Sequence, residues 1–403
     1  MVGDMEASKI RKLSGGVNQS GVRAHNERLL LSLIQRHGGM SGVELARRMG
    51  LSPPAVSTIL RKLETDGLLR RGAPVRGKVG KPSIPMELNP EGVFSFGLKI
   101  GRRSADLLLL DFVGQVHARR HATYDYPLPE TVFGFLRTGL DDLLADMSAA
   151  SRARLCGLGI GAPFELWKWN DLVGAPAEKF RSWKNVDFDQ EVAKFSDLPV
   201  FMVNDSTSAC RAEHLYGRGK EFRDYAYFFV GSFIGGGIVM NHTVFEGNQG
   251  NAGALGSMRA TGPLGESRQL IDVASIHVLE SRIVEAGINP DVLWSHPQDW
   301  SALSRYVEPW IGQISQELAK ASLSVCSVLD FEAILIDGAF PAEIRDELVE
   351  RVRRYIVNQD TRGLISPRIE AGSVGTNARE IGAASSPVFR QFLLDTNAGL
   401  AAM

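Results

Sequence analysis

Residues Ser41–Asp66, SGVELARRMGLSPPAVSTILRKLETD, carry the spacing of two short helices joined by a tight turn. Ser41 with Glu44 three residues on is a capping-box start, and the first helix should run to about Met49. Gly50 falls where the turn needs it. Ser52 can cap the next helix, with Pro53 at a first helical position. Val56, Ile59, Leu60 and Leu63 then recur at i, i+3, i+4, i+7, one apolar face. Ser57, Thr58, Arg61 and Lys62 fall on the other. Two readings fit: a helix-turn-helix that places its second helix in a DNA major groove, or a surface helical hairpin of an enzyme.

The neighbouring sequence favours the first. Gly67-Leu68-Leu69 ends the helix and opens an apolar run. Arg70, Arg71, Arg76, Lys78 and Lys81 follow among glycines and Pro82. That suits a β-wing with a basic tip for phosphates, although a solvated basic loop would look the same by itself. Asn26–Arg36 carries Leu29, Leu30, Leu33 and Ile34, a helical stripe to pack beneath the pair.

Charge supports the division. Residues 1–90 hold 15 Lys and Arg against 7 Asp and Glu, net +8, while the remainder is net −9. A basic head on an acidic body fits a head that meets nucleic acid. At 403 residues, two or three domains are expected. The three cysteines, Cys156, Cys210 and Cys326, show no metal-binding or redox spacing, which points to reduced, buried thiols in a cytosolic protein. No run reaches membrane-spanning length.

From Gly92 the pattern is α/β. Val93–Ile100, Ala105–Phe112 and Gln115–Tyr124 read as a three-strand meander. A helix at Thr131–Ala149, a strand at Leu155–Ile160, a helix at Val186–Phe195, a strand at Pro199–Val203 and a helix at Ser206–Tyr216 follow. Tyr225–Val230, Gly236–Asn241 and Thr243–Phe245 repeat the meander. Helices at Leu270–Ala286 and Ser304–Leu329 (with a break near Pro309), a strand at Ala333–Asp337, a helix at Glu343–Val357, a strand at Ile369–Ala371 and a helix at Ala378–Ala384 complete the second set. The fold expected is an α/β body of two actin-like, ribonuclease-H-like lobes behind a winged helix-turn-helix. The divisions are a mobile 1–22, a DNA-binding domain at 23–88, a first lobe at 89–203 joined by 385–403, and a second lobe at 204–384 bearing the cleft and the oligomer interface.

The order of Gly80-Lys81-Pro82, Gly161-Ala162-Pro163, Asn204-Asp205, Gly231, Gly235-Gly236-Gly237, Ala252-Gly253 and Gly382-Ala383-Ala384 resembles a transcriptional regulator of the ROK family (repressors, open reading frames, kinases) over nearly the whole chain. That resemblance implies a sugar-kinase-like body, and the residues bear on whether it still transfers phosphate. Where family kinases end the first strand in Asp-x-Gly, this chain has Lys99-Ile100-Gly101. A lysine cannot hold Mg²⁺. Ser232-Phe233 stands for Thr-Gly, and Ala339 for a glycine. The family's Glu-x-Gly-His becomes Ala254-Leu255-Gly256-Ser257, and a later Glu falls at Ile271, near Asp272 and Glu266. Met258–Asp272 lacks the His and Cys of the family's zinc site, and His277 has no co-ligands, so no metal, cofactor or catalytic residue is expected.

The family's base position persists as Asp205 beside Asn204. The two could bond sugar hydroxyls, or the pair could simply cap the next helix. The resemblance thus implies a repressor of carbohydrate uptake or metabolism genes, cytoplasmic and dimeric or tetrameric, with double-stranded operator DNA as partner. Ser57, Thr58, Arg61 and Lys62 would face the groove, and Arg76, Lys78 and Lys81 the backbone or minor groove. Asn204, Asp205, Gly161 and Gly253 would meet a sugar or sugar-phosphate effector. Alternatives are a ligand-independent regulator with a vestigial cleft, and an active kinase with a DNA head. An ion pair from Lys99 to Asp205 or Glu246 would fill the cleft.

Overall fold

The computed structural model describes residues 19–75, 83–163, 166–168, 176–262, 264–295 and 297–395. Two compact units emerge. The head takes the described residues up to Glu87 together with Phe392–Asp395, and the body runs from Leu88 to Gln391. Of the stretch expected with the first lobe, Phe392–Asp395 therefore go with the head, where the Leu394 amide donates to Ser32 Oγ at 2.9 Å.

In the head, α1 (Gln19–His37), α2 (Gly42–Met49) and α3 (Pro53–Thr65) bury Leu30, Leu31, Ile34, Leu45, Val56 and Leu63. The first helix begins seven residues before the stripe expected at Asn26, so Gln19–Val22 are helical, and residues 1–18 lie outside the described residues. β1 (Leu69–Arg71) pairs with β2 (Met86–Leu88), and Val75 bridges Ser83 in antiparallel fashion, forming the stem of a wing. Met86 also bridges Met40.

The body holds two five-stranded sheets of one design. The first runs β5 (Val116–Thr123), β4 (Ser104–Asp111), β3 (Phe94–Ile100), β6 (Leu155–Ala162), β7 (Val200–Asn204). The second runs β10 (Thr243–Phe245), β9 (Ile234–Met240), β8 (Tyr225–Val230), β13 (Ala333–Gly338), β14 (Arg368–Ala371). In each, an antiparallel meander is extended by parallel strands. A separate hairpin pairs β11 (Arg259–Thr261) with β12 (Ser267–Gln269). The central strands are buried on both faces, as a sheet covered on both sides requires.

Among the longer helices, α4 (Pro129–Ala145) covers the first sheet and α6 (Ile276–Glu285), α7 (Ser304–Val328) and α8 (Ala342–Val357) the second. α5 (Asp205–Tyr216) follows the last strand of the first sheet, and α9 (Ala378–Phe392) the last strand of the second. α9 returns to the first sheet, where Ser95 Oγ donates to Ala384 O at 2.7 Å. It also crosses α5 so closely that a Cβ on Gly382 would collide with Ser208 O.

Three helix expectations need correction. α7 passes Pro309 unbroken, because the proline sits within its first two turns and forfeits a single amide bond. The helix expected over Leu270–Ala286 stops at Val273 and restarts at Ile276. There Ser275 Oγ accepts from Ile234 N at 2.9 Å and the Ile276 amide turns to Gly231 O. α9 extends past Ala384 through Pro387. The proline leaves Ala383 O without a helical donor, and that carbonyl lies against Gly159, where a Cβ would collide with it.

Candidate functional site

Two regions hold the residues singled out in the sequence. In the head, Ser41 Oγ accepts from Glu44 N at 3.2 Å and caps α2, while Gly50 ends that helix at φ 65°. Glu44 does not return the bond but pairs with Arg48. Ser52 makes no side-chain cap, so Pro53 alone starts α3. With Val56 and Leu63 turned inward, Ser57, Thr58 and Arg61 lie exposed. Thr58 Oγ1 donates to Pro54 O at 3.1 Å.

Among the described residues nothing holds the Arg61 guanidinium. Lys62, expected beside it, is turned away: its Nζ lies 3.1 Å from Glu27 on α1 and 2.9 Å from Asp66. One residue along a helix is a rotation of about 100°, enough to carry Lys62 to the flank that meets α1. The hydrogen bond it donates to Asp66 raises its pKa, consistent with a structural lysine. Arg47 on α2 is exposed and likewise unheld among the described residues, and the apolar spacing gave no reason to select it. Arg76, Lys78 and Lys81 lie outside the described residues.

In the body, Lys99 is 8% exposed and points at neither Asp205 nor Glu246. Its Nζ donates to Asp106 at 2.7 Å and to Ser104 Oγ at 3.2 Å. His121 Nδ1 lies 2.7 Å from the other Asp106 oxygen. Burial opposes ionisation of Asp106, yet Lys99 and His121 hold its carboxyl well below the usual range. Asp205 instead faces Arg379 at 3.6 Å, and Glu246 pairs with Arg211 and Arg390. The expected ion pair therefore forms with the adjacent strand: Lys99 and Asp106 are register partners on β3 and β4.

Asn204 caps α5, accepting from Ser206 N at 3.0 Å and Thr207 N at 3.2 Å. Gly161 is buried against Ser208 and Ala383, and Gly253, at φ 77°, lies on the backbone of Gly237. Two interlobe cavities are lined by described residues, and neither is lined by Asn204, Gly161 or Gly253. Only Asp205 of that group reaches one. It is a space of about 50 Å³ closed by Phe233, Pro127, Pro163, Leu166 and Arg379. The Phe233 ring is fixed edge-on to His277, whose pKa burial and Arg102 lower.

The larger cavity, about 1110 Å³, was not legible from spacing. Its walls include the β3–β4 turn (Arg102, Arg103), Arg119 on β5, Trp294, and Arg379 and Glu380 at the start of α9. Glu280 on α6 takes Arg102 at 3.0 Å and Arg103 at 2.5 Å, latching the turn of the first lobe to the second. Arg103 also reaches Asp291 at 3.0 Å. Arg119 pairs with Glu380 and bonds Asn377 at 2.6 Å. The Arg379 guanidinium lies over the Phe229 ring. Paired arginines in one hairpin turn, and Arg-Glu opening a helix, are the signals that could have marked these residues.

Comparison with known proteins places this geometry. The profile described as ROK family matches residues 95–270, and a winged helix-turn-helix DNA-binding profile matches residues 23–70. An uncharacterized protein, y4fQ, of Sinorhizobium fredii is 25% identical over 91% of each chain. The DNA-binding transcriptional dual regulator NagC of Escherichia coli is 26% identical over 62% of each, so the chain spans under two thirds of that relative. The crystal structure of a ROK family transcriptional regulator, a homologue of the E. coli MLC protein, superposes with a TM-score of 0.64 at 21% identity, covering 91% of this chain and 96% of that one. The ROK hexokinase of Thermus thermophilus superposes with a TM-score of 0.52 at 20% identity, covering 74% and 99%. The two-lobed fold therefore serves both regulators and kinases.

Proposed function

We propose that this chain, which matches the ROK family profile over residues 95–270 and a winged helix-turn-helix DNA-binding profile over residues 23–70, is a sequence-specific transcriptional regulator of that family, a repressor of carbohydrate genes whose operator affinity a carbohydrate ligand of the body modulates. The observation that carries this reading is the outer face of α3. It offers two hydroxyls and an unheld guanidinium in the chemistry that reads base edges. Such heads bind paired half-sites, so the working species is a homo-oligomer on a symmetric operator. Ligand and DNA then weaken each other reciprocally if the ligand is an inducer.

Kinase activity is not part of the proposal. Phosphoryl transfer needs a carboxylate or equivalent to place the metal nucleotide, and the matching position is a lysine already engaged by Asp106. Asp205, the residue a kinase would use as base, is engaged by Arg379. The test is selection of preferred DNA from a random pool, followed by titration with and without sugars, and an ATP-turnover assay beside it. A selected symmetric site whose affinity a carbohydrate changes is the expected result. Failure to enrich any sequence ends the regulator reading, and sugar-dependent ATP turnover restores the kinase. The narrowness of the cavity at Asp205 favours one further reading, a regulator indifferent to sugars, and tight DNA binding unmoved by any carbohydrate would establish it.

A further inference from the structure

We propose that the body takes an anionic carbohydrate, a sugar carrying a carboxylate or a phosphate, in the large cavity bounded by Arg102, Trp294, Arg379 and Glu380, and not in the small one at Asp205. This rests on the reading of the chain as a ligand-responsive regulator.

Seven buried side-chain nitrogen or oxygen atoms among the described residues have no protein hydrogen-bond partner. Four of them belong to residues lining this cavity: Nε of Arg102, Nε1 of Trp294, Nε of Arg379 and Oε2 of Glu380; Arg102 and Arg379 line the small cavity as well, Trp294 and Glu380 do not. Buried polar groups are almost always satisfied, so four open ones around one space mark where a polar molecule completes the set. Arg379 and Glu380 are only 9% and 2% exposed, and as neighbours at the start of α9 they are held by the backbone of a long helix. Arg379 faces Asp205 at 3.6 Å but makes no side-chain hydrogen bond to any described residue, leaving its donors open.

The chemistry of the open groups selects the ligand. Three are donors, two of them on guanidinium groups, which favour carboxylate or phosphate oxygens. The fourth is a carboxylate oxygen, which needs a donor such as a sugar hydroxyl. Trp294 and Tyr126 supply flat apolar surface for the ring of a sugar. Size selects the place. At about 50 Å³ the space at Asp205 has room for one or two waters, whereas about 1110 Å³ admits a monosaccharide with its substituent.

The experiment is calorimetric titration of the full chain, without DNA. The probes are glucuronate and galacturonate, then glucose 6-phosphate and ribose 5-phosphate, then glucose and xylose, and last Mg-ATP. The expected result is binding by the sugar acids or by the sugar phosphates, the two arms telling carboxylate from phosphate. Neutral sugars should bind at least tenfold more weakly. Glu380→Gln and Trp294→Phe should each weaken the anionic probe at least tenfold. If Glu380→Gln fails to fold by circular dichroism, Trp294→Phe, which keeps an aromatic ring but loses the N–H together with part of the indole surface, decides. Neutral sugars binding as tightly, Mg-ATP binding alone, indifference to the variants, or no probe binding at millimolar concentration would each overturn the proposal. Because DNA is absent from this measurement, such a failure leaves operator binding standing, while absence of any selected DNA would end the regulator reading instead.

Discussion

Lys99 is where a single side chain decides between two chemistries. Its ammonium and the Asp106 carboxylate are 10% and 8% exposed, so each depends on the other for its charge to be tolerated. Lys99→Met leaves Asp106 with only His121 and the Ser104 hydroxyl. Loss of one partner from a buried pair costs about 3–5 kcal/mol, which chemical denaturation would register. Replacing both by apolar residues of similar size should recover most of that loss. Asp337 is a second such residue. Burial, then Glu213, pushes its carboxyl up to about 6 from 3.8, against hydrogen bonds from Gly375 N and Gly338 N. A raised folded-state pKa stabilises in full below the unfolded value and is lost as pH rises through the folded one. Stability should therefore fall between about pH 4 and 6, by up to about 3 kcal/mol from this group, and stay lower above. Asp337→Asn should flatten that slope in melts run across the range; an unchanged slope would assign it to other groups.

At the scale of elements, α2 and α3 were legible because their signals are local. The Ser41 cap, Gly50 and the 3.6-residue stripe act within a few residues of one another. Ser41→Ala should cost about 1 kcal/mol of head stability. Arg61→Ala should weaken operator binding by about 1–3 kcal/mol and relax sequence preference, as loss of a base contact does. Arg47→Ala should weaken all sequences alike and reduce the salt slope by about 1 if it meets a phosphate. Quantitative titrations on matched and mismatched sites separate the two. Lys62 escaped the pattern because its partner Glu27 lies 35 residues away on another helix. The order of elements along both lobes was legible for a similar reason, through apolar runs bounded by turn residues, while the strand order within each sheet was not read from the sequence. The larger cavity was not. Arg102, Glu280 and Arg379 meet only once two sheets have folded, and no spacing encodes that. Asn204, Gly161 and Gly253, which the resemblance implied as ligand contacts, line neither cavity and are engaged in helix capping or close packing.

Across the whole molecule, charge and connection matter more than any one contact. A head region of net +8 should make DNA affinity fall steeply with salt, a dependence seen by repeating the titration at several ionic strengths. Within the body, Glu280 holds two arginines from the opposite lobe while only 4% exposed. Glu280→Gln should loosen that latch, raising hydrogen exchange in the Arg102–Ser104 turn with little change inside either sheet. Equal protection in the variant would show that the lobes are held elsewhere. The return of α9 to the first sheet has a consequence for synthesis. Ser95 waits for Ala384, a partner 289 residues later in the chain. At roughly 5–20 residues per second, a ribosome needs on the order of 15–60 s to deliver it. During that interval the half of the protein made first carries an uncovered apolar face at Gly97 and Gly159, a target for chaperones on every nascent chain.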